Sequence, residues 1–293
     1  MNKLSSEDRA KILHLLCEGM SIRAVCRVTG ASKNTVVRLL NQAGLALGAY
    51  QDDAFRNLKT ERVQVDEIWS FVHCRARTVP TAKAAPPDAG DAWTWTAIDA
   101  DSKLVFSYAV GPRDAEFAYE FLSDVEMRLA GRVQLTTDGL RAYYNMAWAV
   151  FRDEVDPAML VKLYGASPNG PTTRYSPAPC IGTKTDIRSG DPDPAHVSTS
   201  YVERQNLTMR MHMRRFTRLT NAFSKKVSNH VNAISLHFFY YNFVRIHSTL
   251  RVTPAMAAGV TDRLFEMADL VAIVEAAEKK PGKRGLYKKR VVA

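Results

Sequence analysis

The sequence predicts a mixed α/β core, a sheet flanked by helices, behind a small all-α domain. Three observations predict it. The chain has 293 residues, 46% hydrophobic and 24% charged, which is enough for two globular domains and excludes global disorder. Residues 5–42 read as three short capped helices. From residue 62 onward, β-type runs alternate with helical ones.

The helices come first. Asp8 to Cys17 places Ile12, Leu13, Leu15 and Leu16 on one face, and Gly19 stops it. Ser21 caps a second helix with Ile22, Val25 and Val28 inside. After the turn Thr29-Gly30-Ala31, Ser32 caps a third helix with Val36, Val37, Leu39 and Leu40 inside and Lys33, Asn34, Thr35 and Arg38 outside. A short helix, a glycine-containing turn and a capped second helix form the helix-turn-helix pattern, in which the later helix enters the DNA major groove. Lys33, Asn34 and Arg38 are then the candidates for contact with bases or phosphate. The alternative is a plain three-helix bundle with a solvated outer face. The domain is bounded at residues 1–45, with a linker at 46–61.

Strands and helices follow. Val63, Val65, Ile68, Trp69, Phe71 and Val72 form a strand around the polar pair Asp66-Glu67. Residues 78–91 are a Pro/Ala/Gly-rich loop. Trp93–Ile98 and Leu104–Val110 form a hairpin over Asp99-Ala100-Asp101-Ser102, where turn chemistry accounts for both aspartates. Arg113–Ala130 is a helix, Val133–Thr137 a short strand ending at Asp138-Gly139, and Ala142–Phe151 a helix. Met159–Leu163 is a candidate last strand, inside an insertion near residues 152–197 whose stretch Gly165–His196 lacks periodicity. Ser198–Leu219 is a basic helix, Ser224–Val244 a long apolar one, and Pro254–Ala277 another. Lys279–Ala293 holds seven Lys or Arg and no acid, a basic tail.

Charge narrows the function classes. Lys plus Arg is 40 against 30 Asp plus Glu, a net +10, which favours a polyanionic partner without distinguishing nucleic acid from a membrane surface or simple solubility. No secretory apolar region and no run of about 18 apolar residues is present, so no membrane span and no membrane partner are expected. The four cysteines form no CxxC pair, so neither a disulfide framework nor a zinc knuckle is expected.

Three acids stand out. Asp66 sits inside an apolar strand, where a charge needs a reason. Asp138 ends a strand, where open α/β sheets place their sites. Glu203 opens the basic helix. At 3.6 residues per turn, Arg210 and Arg214 stay near its face. Each acid alone has an ordinary alternative, a satisfied buried acid or an acid favoured by a helix dipole. Together, oxygen-only ligands suit the hard cations Mg²⁺ or Mn²⁺. Two such ions about 3.5–4 Å apart serve phosphodiester chemistry. His230, His237 and His247 form a second group, for which helix packing or DNA contact is the ordinary reading and a metal trio the alternative. Tyr143 reads as core.

Four separated motifs in order resemble a known family. They are Val65-Asp66-Glu67-Ile68-Trp69-Ser70-Phe71-Val72, Leu135-Thr136-Thr137-Asp138-Gly139 with Tyr143, Ser200-Tyr201-Val202-Glu203-Arg204-Gln205-Asn206, and Tyr241-Asn242-Phe243-Val244-Arg245-Ile246-His247 before Thr253-Pro254. The order resembles the DDE transposases of bacterial insertion sequences, within the retroviral-integrase superfamily, over about residues 62–260. The resemblance implies an α/β ribonuclease-H-like catalytic core of mixed sheet flanked by helices, preceded by the all-α helix-turn-helix domain and followed by a C-terminal helix and basic tail at 261–293. It implies Asp66, Asp138 and Glu203 as catalytic metal ligands for Mg²⁺ or Mn²⁺, two ions in all, with no covalent protein intermediate. Arg204, Arg210 and Arg214 would meet the DNA backbone. The activity implied is cleavage at the element's ends and strand transfer into target DNA. The partners implied are double-stranded DNA and further copies of the chain on paired ends, and the setting is the nucleoid-associated cytoplasm of a bacterium. The Asp138–Glu203 interval is longer than in many integrases and reads as an elaboration of the fold. The competing function is a catalytically idle, domesticated helix-turn-helix DNA-binding protein or repressor. A structure-selective nuclease is a third reading, which has no use for Lys33, Asn34 and Arg38.

Overall fold

The computed structural model describes residues 3–165, 178–187, 189–217 and 221–278. Three helices open it: α1 (Ser6–Cys17), α2 (Ile22–Thr29) and α3 (Lys33–Ala54). Each starts at a serine whose Oγ accepts the N–H three residues on: Ser5 from Asp8 (3.0 Å), Ser21 from Ala24 (3.2 Å) and Ser32 from Thr35 (3.2 Å). Such caps satisfy amides that the first helical turn leaves without a partner. Gly30 ends α2 at φ +73, a left-handed backbone that glycine adopts without strain. Ile12, Leu13, Val25, Val36, Leu39 and Leu40 are buried between the helices.

Helix α3 does not stop at Gly44. It runs through most of the stretch expected as a linker, to Ala54. A Cβ on Gly44 would overlap the backbone of Asn232, and one on Gly48 would press on Ser235 Oγ at 3.3 Å. Both glycines therefore serve close contact with helix α7 (Val227–Phe239), which offsets their low helix propensity. Gln51, buried on α3, bridges the two by donating to Ser235 O (3.1 Å) and Tyr108 Oη (3.1 Å).

The core is one six-stranded mixed sheet in the order β3-β2-β1-β4-β5-β6. The strands are β1 (Arg62–Val72), β2 (Gly90–Asp99), β3 (Val105–Gly111), β4 (Val133–Thr137), β5 (Val155–Tyr164) and β6 (Cys180–Asp186). β1 is central, antiparallel to β2 and parallel to β4. β4 and β5 are parallel, and β6 returns antiparallel. The β2–β3 turn bears out the turn chemistry: Asp99 accepts from the N–H groups of Asp101 (3.1 Å) and Ser102 (3.2 Å). Helices α4 (Ala115–Arg128) and α5 (Arg141–Phe151) follow β3 and β4. Their Phe117, Phe121 and Tyr143 pack around fully buried Trp95 with ring centroids 5.0–5.8 Å away. At the β3 edge, the Asn242 side chain takes the place of a further strand, donating to Val105 O (2.8 Å) and accepting from Val105 N (3.1 Å).

Other departures from expectation have local causes. The insertion near 152–197 is not structureless: it contains β5, which starts at Val155 rather than Met159, and β6, which pairs along it. The basic helix is shorter than expected. As α6 it spans Ser200–His212 and ends where Met213 turns extended and buries its side chain. Arg214 opens a separate 3-10 turn, so it does not continue the Glu203 helix as expected. The expected C-terminal helix is two, α8 (Pro254–Ala257) and α9 (Met267–Ala276). α9 packs on α1, where buried Arg9 pairs with Glu278 at 2.6 Å. Arg218 and the basic tail 279–293 lie outside the described residues.

Candidate active site

Register alone brings two of the three acids together. β1 pairs with β4 in parallel, and the last partners are Val65 and Thr137. The next residues on the two strands are Asp66 and Asp138, side by side where β4 ends. Alternation puts Asp66 on one face of β1 with Gln64, and Glu67 on the other. Asp138, at its strand's end, comes close to both: Asp66, Glu67 and Asp138 each bring a carboxylate oxygen within 4.8 Å of the others.

Helix α6 supplies the third acid and is locked to Asp66's face. Gln64 Oε1 accepts the free N–H groups of Tyr201 (2.9 Å) and Val202 (3.2 Å) in its first turn. One turn later, Asn206 Nδ2 donates to Asp66 Oδ2 (2.8 Å). Glu203, on the same helix, accepts from Thr199 Oγ1 (2.6 Å) and pairs with Lys162 Nζ from β5. Lys162 lies beyond the last β4–β5 pair, Thr137–Met159, so it reaches past the end of β4 toward the acids. Glu203 is not in the close set of three, but its charge reaches both Asp66 and Asp138.

Electrostatics mark this place. Burial, then the charges of Asp138 and Glu67, push Asp66 up to about 7, against the N–H of Glu67 that donates to it at 2.8 Å. Burial also raises Asp138, opposed by the Leu140 N–H (2.9 Å) and by Arg113. Glu67 is raised by burial and by Asp138, although Arg113 Nε donates to its Oε1. Partial burial pulls the Lys162 ammonium down, but Glu203 holds it above its ordinary value. Crowded, buried carboxylates whose negative charges raise one another are what a hard divalent cation relieves. On this ground the residues present fit one.

The structure places the remaining candidates as follows. Arg204 and Arg210 are exposed on α6, and Arg214 is exposed on the next turn. Lys33, Asn34 and Arg38 are exposed along the start of α3, with Arg38 in the groove between α3 and the end of α9. Tyr143 is fully buried, as expected of core, yet its hydroxyl lies against Glu67. The histidines do not assemble. His230 sits buried between Ser70 Oγ (3.1 Å) and Ser224 Oγ (3.2 Å), and His237 is buried beside the Phe238 ring; burial pushes both down to about 3, neutral at any ordinary pH.

Sequence reading did not single out Gln64, Asn206, Lys162 or Arg113. Gln64 carried a signal, a polar residue two positions before Asp66 and so on its face. Lys162 carried little, because its partner is 41 positions away.

The model of one protein family, the helix-turn-helix domain, matches residues 2–43. No curated protein matches the chain. The chain therefore carries an N-terminal DNA-binding helix-turn-helix domain, followed by a mixed six-stranded sheet with flanking helices. Among the described residues, no helix is long and apolar enough to cross a membrane.

Proposed function

We propose that this protein is a metal-dependent DNA transposase that cuts at the ends of a mobile element and joins them to target DNA. The observation that carries the reading is the meeting of Asp66 and Asp138 at the ends of paired parallel strands, with the charge of Glu203 reaching both from helix α6, behind a DNA-binding domain. The strand order is compatible with a ribonuclease-H-like core, and the order of the three acids along the chain resembles that of DDE transposases.

Asp66 and Asp138 would hold Mg²⁺ or Mn²⁺ with Glu203, two ions in the family's pattern. Bound there, the metal would activate an attacking oxygen and neutralise charge gathering on the phosphate. The chain's own residues prepare the place. Asn206 fixes the Asp66 carboxylate, and the Leu140 N–H fixes that of Asp138. Lys162 pairs with Glu203 and holds its carboxylate in position. Lys33, Asn34 and Arg38 would read the element ends. Arg204, Arg210 and Arg214 would hold backbone phosphate around the cut. Further copies of the chain on paired ends complete the proposed assembly, in the nucleoid-associated bacterial cytoplasm.

The test is cleavage of the DNA that flanks this gene, in Mg²⁺ or Mn²⁺ against EDTA, by wild type and Asp138→Ala. Metal-dependent nicking at the ends, absent from the variant while DNA binding persists, is the expected result. Tight binding without cleavage in any metal would replace this reading with that of an idle DNA-binding protein.

A further inference from the structure

Of the three carboxylates within 4.8 Å of one another, Glu67 is the one ion-paired to a cationic side chain among the described residues. Its Oε1 accepts from Arg113 Nε, and its Oε2 is buried beside the Tyr143 hydroxyl. The Glu67 side chain is 2% exposed, whereas that of Arg113 is 38% exposed. One edge of the guanidinium is thus pinned to a buried anion. Its face lies over the Trp93 ring, 4.9 Å from the centroid. The two Nη groups have no hydrogen-bond partner among the described residues.

The backbone under Arg113 is equally fixed. Pro112 O accepts from Trp95 Nε1 (3.1 Å). Asp114 Oδ1 caps α4 by accepting from Phe117 N (2.9 Å). A Cβ on Gly111 would collide with the Phe117 ring, so that turn admits close packing only with glycine. A guanidinium anchored at one edge, stacked on an indole and open at its other edge is preorganised for one oxyanion. Through Glu67, whose carboxylate lies within 4.8 Å of oxygens of Asp66 and Asp138, the guanidinium is held beside the acid cluster.

We propose that Arg113 grips a non-bridging oxygen of the scissile phosphate beside Asp66 and Asp138, and that Glu67 positions Arg113 rather than holding metal. The inference rests on the DNA-cleavage reading above. It divides the four acids by role: Asp66, Asp138 and Glu203 face the metal, and Glu67 faces the guanidinium.

The experiment first maps the cut made by wild type in Mn²⁺ on the flanking DNA. Binding of that duplex is then measured in EDTA by fluorescence anisotropy, with the phosphate at the mapped position either normal or replaced by uncharged methylphosphonate. Arg113→Ala and Arg113→Gln weaken binding of the normal duplex about tenfold, the effect of one charged hydrogen bond. Arg113→Lys recovers part of it, and the methylphosphonate reduces all these differences to under twofold. Glu67→Gln retains wild-type Mn²⁺ affinity by calorimetry, and its cleavage defect does not add to that of Arg113→Ala. Thermal melts establish that each variant is folded. A loss that survives the methylphosphonate, or no loss at all, overturns the Arg113 assignment while wild-type cleavage keeps the function standing. Weakened Mn²⁺ binding in Glu67→Gln overturns the role given to Glu67. No metal-dependent cut by wild type overturns the functional reading and this inference with it.

Discussion

Asp66→Asn separates charge from shape at the acid cluster. Burial and neighbouring acids raise Asp66 from the ordinary 3.8 to about 7. A carboxyl raised on folding costs nothing below its unfolded value and its full penalty above its folded one. That penalty is about 4 kcal/mol at pH 8 and under 2 kcal/mol at pH 5. The amide removes it and keeps the contacts. Asn206 Oδ1 is buried without a hydrogen-bond partner, so turning the Asn206 amide over lets it accept from the new amide. In urea unfolding with EDTA, Asp66→Asn should exceed wild type in stability, and the gap should widen by about 2–3 kcal/mol from pH 5 to pH 8. Added Mn²⁺ at pH 8 should stabilise wild type and not the variant, because only a ligand that binds the folded state raises its stability. A gap independent of pH, or a wild type that gains on the variant as pH rises, would refute the electrostatic account.

Other consequences can be checked separately. Gly44→Ala sets a methyl into the Asn232 backbone, an overpacking defect of about 1–3 kcal/mol, and should lower the melting temperature by several degrees; no change would mean that α3 and α7 separate easily. Arg38→Ala should weaken binding to element ends about tenfold and binding to random DNA much less, measured by competition; equal loss on both would reduce Arg38 to a phosphate contact.

What the sequence made legible was whatever local chemistry decides. Ser21 and Ser32 announced their helices, Asp99 its turn, and the alternation from Val63 to Val72 the central strand. The acids stood out because an apolar strand with an aspartate in it conflicts with its own pattern. What it hid was set by distant contacts. Gly44 and Gly48 read as a break because the α7 residues packed against them, Asn232 and Ser235, are nearly 190 positions away in the chain. β6 escaped because an exposed edge strand such as Cys180–Asp186 has no buried face to impose alternation. Arg214 reads as part of the Glu203 helix because good helix formers fill the stretch, whereas the chain turns extended at Met213, which buries its side chain together with Phe216. Asn206 and Lys162 act through partners on other elements, which spacing does not reveal.

If three acids from three elements act as one metal site on DNA, Glu203 is the member whose loss decides it. It lies outside the close set and is tied to Lys162. The most direct measurement is the Mn²⁺-dependent cleavage rate of Glu203→Gln on element-end DNA, beside its Kd for the same duplex. Cleavage should fall by at least a hundredfold, with Kd within about twofold of wild type. Cleavage within a few-fold of wild type would remove Glu203 from the site and leave no three-acid metal centre.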